Sequence, residues 1–123
     1  MTLLTVKRIL IVEDETLVAF HLEDILLEMG HAVIGPAVRL ADAVLLARDG
    51  EFDFAIVDMN LAGTPSLAVA DILRARGIPF VFVTGYGAEG IAASYGSEPT
   101  LRKPYTLEAL EQAVTSGLAS VAK

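Results

Sequence analysis

The stretch Ile9-Leu10-Ile11-Val12-Glu13-Asp14-Glu15 decides the fold. A compact apolar run rich in β-branched residues suits a strand buried on both faces. It stops abruptly at three acids, which cannot continue into a core. The same grammar returns further along the chain. Phe54-Ala55-Ile56-Val57 ends at Asp58, and Pro79-Phe80-Val81-Phe82-Val83 ends at Thr84-Gly85. A briefer run, Thr100-Leu101-Arg102, is followed by Lys103-Pro104.

Between these runs the apolar residues fall at helical spacing. Glu15 to Met29 reads as a helix with Val18, Leu22, Ile25, Leu26 and Met29 on one face, and Gly30 stands where a left-handed cap would end it. Ala32 to Val38 is a weaker strand. Pro36 removes a ladder donor there, which predicts a sheet edge. Leu40 to Arg48 and Leu67 to Arg76 are further helices, the second capped by Ser66 and closed by Gly77. Residues 87–97 are rich in glycine, and each interior Gly costs a helix about 1 kcal/mol relative to Ala. A helix there is expected to be short and mobile. Thr106 caps a last helix with Leu107, Leu110, Val114 and Leu118 on its buried face. Five strand–helix units in alternation predict an α/β fold, a doubly wound five-stranded parallel sheet flanked by five helices.

The chain has 123 residues, which fits one domain over 1–123 with no output domain attached. With a net charge of −7, it lacks the clustered Lys and Arg that sequence-independent nucleic-acid binding or an electrostatic membrane anchor requires. It has no cysteine, which excludes disulfides, thiolate metal sites and a cysteine nucleophile. No signal peptide is evident, and no uncharged apolar run reaches the roughly 20 residues of a membrane span. A cytoplasmic protein is expected.

In an open parallel sheet, ligands bind beyond the carboxyl ends of the strands, where strand order reverses. The residues at those ends are Glu13 and Asp14, then Asp58 with Asn60, then Thr84, then Lys103. Neighbouring strands lie about 4.8 Å apart. If the first and third strands are adjacent, Asp14 and Asp58 come close, with Glu13 nearby. Their mutual repulsion calls for a cation, and oxygen-only ligands favour Mg²⁺. Lys103 supplies a fixed opposite charge and Thr84 a hydroxyl. These parts suit phosphoryl transfer, which needs positioning and charge neutralisation above all, with Asp58 as nucleophile.

The ordered set Ile11-Val12-Glu13-Asp14-Glu15, Val57-Asp58-Met59-Asn60-Leu61, Val83-Thr84-Gly85 and Lys103-Pro104 resembles the receiver domains of two-component response regulators. The resemblance covers nearly the whole chain and implies the flavodoxin-like receiver fold. It implies that Asp58 accepts phosphate from a histidine kinase or histidine phosphotransferase. It also implies Mg²⁺ held by Asp14, Asp58 and the backbone carbonyl of Asn60, with Glu13 acting through water. Thr84 and Lys103 would contact the phosphoryl group. Such a protein is not an enzyme in the ordinary sense, although its phosphotransfer and dephosphorylation are autocatalytic. It would act as effector, relay or phosphate sink, through a downstream partner or as a homodimer built on the fourth helix, fifth strand and fifth helix.

Two departures from the family pattern concern switching. The position three residues before the lysine, usually Tyr or Phe, is Thr100. Phe82-Val83-Thr84-Gly85-Tyr86 is similar to the Phe-Ala-Thr-Gly-Tyr signature of an alphaproteobacterial subgroup, which makes Tyr86 the substitute switch candidate. Tyr105 replaces a more usual Phe and is expected to pack. Three rival readings meet the residues less well. A phosphohydrolase would want an acid where Asn60 stands. A nucleotide or flavin module would want a Gly-rich loop where Glu13-Asp14-Glu15-Thr16 stands. A phosphate-independent domain of the same shape would have no need of the acceptor set.

Overall fold

A computed structural model describes residues 6–85 and 99–119. The elements are β1 (Arg8–Val12), α1 (Thr16–Glu28), β2 (Ala32–Ala37), α2 (Leu40–Asp49), β3 (Phe54–Asp58), β4 (Asn60–Leu61), β5 (Thr64–Pro65), α3 (Leu67–Arg76), β6 (Phe80–Thr84), β7 (Thr100–Arg102) and α4 (Leu107–Ala119). The main sheet runs β2-β1-β3-β6-β7, and every pairing in it is parallel. Strand order reverses across the β1–β3 boundary. Pro36 lies on an edge strand, as its missing donor requires. The expected helix over 87–97 lies outside the described residues.

Two cores lie on opposite faces of the sheet. Ile9 and Ile11 of β1, Phe54 and Ile56 of β3, and Val81 and Val83 of β6 pack with α1 and α4. The residues between them, Leu10, Val12, Ala55, Val57, Phe80 and Phe82, pack with α2 and α3. This is the period-2 alternation of a strand, apolar on both sides because both sides are covered. On the second face, Arg76 of α3 donates to the carbonyls of Ala47 and Gly50 at the end of α2. Its guanidinium also stands 5.4 Å over the Phe52 ring. The first face has its own close approach, because a Cβ on Gly117 of α4 would fall 2.0 Å from Phe54.

Local structure departs from the sequence reading at three places. Residues expected to form a plain loop make a small antiparallel ribbon, β4 with β5. Its two turn residues, Ala62 (φ 50°) and Gly63 (φ 89°), both adopt positive φ, as a tight hairpin requires. Ser66 precedes α3 but makes no capping bond, because its hydroxyl donates instead to the carbonyl of Asp58. Leu107 is 52% exposed and lines an open groove rather than the core; of the expected buried face only Leu110 and Val114 are fully covered. Thr106 does cap α4, accepting the Ala109 N–H at 3.0 Å.

Candidate functional site

Sheet register assembles the site. Val12 lies opposite Val57, so Glu13 and Asp58 leave the sheet at the same level. On the far side of β3, Asp58 lies opposite Val83 and Thr84 follows. Thr84 in turn pairs with Arg102, and the Lys103 N–H donates to the Thr84 carbonyl at 2.7 Å. Four strands thereby deliver Glu13, Asp14, Asp58, Thr84 and Lys103 to one edge.

The geometry there is tight. Glu13 is 1% exposed and Asp58 5%. One oxygen of Asp58 accepts the Asn60 N–H at 3.0 Å, and the other accepts Lys103 Nζ at 3.0 Å. Lys103 Nζ also stands 3.2 Å from Glu13 Oε1 and 3.3 Å from Glu15 Oε1. Glu13, Asp14 and Asp58 each place a carboxylate oxygen within 4.8 Å of the others. Asp14 accepts the Ala62 N–H at 3.0 Å, which holds the hairpin turn against the site. A cavity of about 230 Å³ opens here, with Asp14, Asp58, Asn60, Gly63 and Lys103 among its walls. Thr84 Oγ1 is buried without a hydrogen-bond partner.

Titration reflects this crowding. Burial, then the hydrogen bond and negative charge of Asp58, push the Glu13 carboxyl up to about 7. Burial alone would lower the Lys103 ammonium. The hydrogen bond and charge of Asp58, reinforced by Glu13, outweigh it and hold the group above its ordinary range. Burial, then the charge of Glu13, push the Tyr105 phenol up to about 12.

The model of the response regulator receiver domain family matches residues 9–115. The chain belongs to this family. Among similar proteins, the two-component response regulator PhoP of Pseudomonas aeruginosa is 32% identical over 111 residues, 85% of this chain and 48% of that protein. The phyllosphere-induced regulator PhyR of Methylorubrum extorquens is 41% identical over 81 residues, 63% of this chain and 30% of that protein. The chain thus spans about half or less of these relatives' length. The solution structure of SdrG from Sphingomonas melonis Fr1 superimposes with a TM-score of 0.81 at 39% identity, covering 92% of this chain and 97% of that one. The fold and the two-component signalling class read from the sequence both hold.

The receiver's site residues divide into three groups. Glu13, Asp14, Asp58, Asn60 and Lys103 converge, with Thr84 beside them. Thr100 sits at the start of β7, and Tyr105 packs against the core beneath α1. Tyr86 lies outside the described residues. Sequence reasoning missed Ser66 and Glu15: the first looked like a helix cap, the second like a helix-start acid. The donor set fits a hard divalent cation, because three carboxylates meet with no nitrogen or sulfur ligand.

A second, larger cavity of about 570 Å³ adjoins the first. It runs between α1 and the segment after β7, lined mainly by Leu17, Val18, His21, Ile25, Pro104, Tyr105 and Leu107. Glu15 and Lys103 line both cavities. Among the described residues, no helix is long and apolar enough to cross a membrane.

Proposed function

We propose that Asp58 is the phosphoryl acceptor of this receiver, loaded from the phosphohistidine of a histidine kinase or histidine phosphotransferase. The observation that carries this reading is the buried Asp58 carboxylate, bonded to Lys103 at 3.0 Å beside two further acids. A carboxylate oxygen of Asp58 attacks phosphorus, the P–N bond to the donor imidazole breaks, and the imidazole leaves with the electron pair. Lys103 moves from carboxylate to phosphoryl oxygen and neutralises it. Thr84, whose hydroxyl has no other partner, donates a hydrogen bond to the phosphoryl group. Asn60 N–H and Ser66 keep the acceptor oriented. Glu13, Asp14, Asp58 and the Asn60 carbonyl would hold Mg²⁺, which supplies the charge neutralisation that a dianion among carboxylates requires.

The apolar groove beside the mouth gives a protein donor a surface to bury. Output passes through the face of β7 and α4, to a downstream protein or a second copy, by a population shift. The protein works in the cytoplasm, without nucleic-acid contact, as effector, relay or phosphate sink. Phosphotransfer from candidate kinases with Mg²⁺ tests the reading. Wild type takes up label and Asp58→Asn takes up none. Label that persists in Asp58→Asn refutes the acceptor assignment.

A further inference from the structure

Glu15 stands where the two cavities meet, lining the acidic one with Asp58 and the apolar one with Leu17 and Leu107. It precedes α1, where a carboxylate can turn back to bind a free helix N–H. Its side chain makes no such bond. Oε1 instead lies 3.3 Å from Lys103 Nζ. The Glu15 N–H donates to Glu13 Oε2 at 3.1 Å, which anchors its main chain to the site. Three carboxylates therefore share one ammonium. The side chains of Glu13 and Asp58 are 2% and 6% exposed, whereas that of Glu15 is 63% exposed. Of the three, Glu15 alone grips the lysine from the solvent side.

We propose that Glu15 is a positioning residue that acts through Lys103, restraining phosphoryl uptake from small free anionic donors. The inference rests on Asp58 being the acceptor. An acyl phosphate reaching Asp58 must take Lys103 from Glu15. In that transfer the Asp58 oxygen forms the new P–O bond. The bridging P–O bond of the donor breaks, and the carboxylate leaving group departs with the electron pair. An acyl phosphate is too small to bury the groove and gains nothing from it. A protein donor seated on Leu17 and Leu107 touches Glu15 directly and can draw it off the lysine.

The test measures the rate of phosphorylation by acetyl phosphate with Mg²⁺ in wild type, Glu15→Gln and Glu15→Asp. An exposed ion pair of this kind corresponds to about a threefold change, so Glu15→Gln should be phosphorylated about threefold faster than wild type. Glu15→Asp keeps the charge but is one methylene shorter, and it should also be faster. In metal-free protein the nitrogen resonance of the Lys103 ammonium should shift in both variants. Uptake that is unchanged in Glu15→Gln, with wild type labelled at Asp58, overturns the role of Glu15 and leaves the acceptor intact. A faster Glu15→Gln beside an unchanged Glu15→Asp overturns the tether in favour of simple repulsion. No label from acetyl phosphate in any variant, Glu15→Gln included, overturns the role of Glu15 alone, whereas label from a kinase that survives Asp58→Asn overturns the acceptor reading as well.

Discussion

Glu13 carries a carboxyl group where charge is costly. Its folded value of about 7 lies above the 4.5 of an unstrained glutamate. Between those values the folded state retains a proton that the unfolded state has released. The contribution of Glu13 to the stability of the metal-free protein should therefore be fully present below the lower value and be lost as pH rises through about 7. Urea titrations across that window check the sign, and Glu13→Gln should flatten the decline. Ala62 presents a different strain. A left-handed conformation costs an L-residue roughly 1–2 kcal/mol that glycine avoids, so Ala62→Gly should raise stability by up to about 1 kcal/mol after glycine's larger unfolded-state entropy is subtracted. The Asp14 bond to the Ala62 N–H survives that change. A lower urea midpoint would contradict this account.

At the scale of elements, two contacts can be tested by substitution. Ser66→Ala leaves the buried carbonyl of Asp58 without its donor and should cost about 1–3 kcal/mol. Gly117→Ala drives a methyl group into the Phe54 ring and should cost about 1–3 kcal/mol by overpacking. Adding Phe54→Leu should recover part of that loss, which a double-mutant cycle measures. Much of the architecture was legible in the sequence because β1, β3 and β6 are unbroken apolar runs ending in polar residues. The Asp58, Asp14 and Lys103 cluster was legible for the same reason, since parallel strands carry their terminal residues to one edge. The β4–β5 ribbon was not legible, because two-residue strands have no periodicity and nothing about Ala62 announces a positive φ. Ser66 and Glu15 were misassigned because a residue before a helix has an obvious local role. Only the tertiary neighbours, Asp58 and Lys103, override it.

Across the whole molecule, charge is unevenly spent. The chain carries a net −7, and the carboxylates of Glu13, Asp14, Glu15 and Asp58 crowd around Lys103 at one end of the sheet. Mg²⁺ should raise the melting temperature more than NaCl of equal ionic strength, since screening acts on all surface charge but a bound divalent ion acts on this cluster. Asp14→Asn should abolish most of that difference. Equal shifts for the two salts would argue against a specific cation site.

The two faces of the sheet are not held alike. Arg76 rivets the end of α2 to α3, with two carbonyls and a ring gripping one guanidinium. That face is clamped at this point. The clamp would leave the face covered by α1 and α4 to carry the output proposed for this receiver.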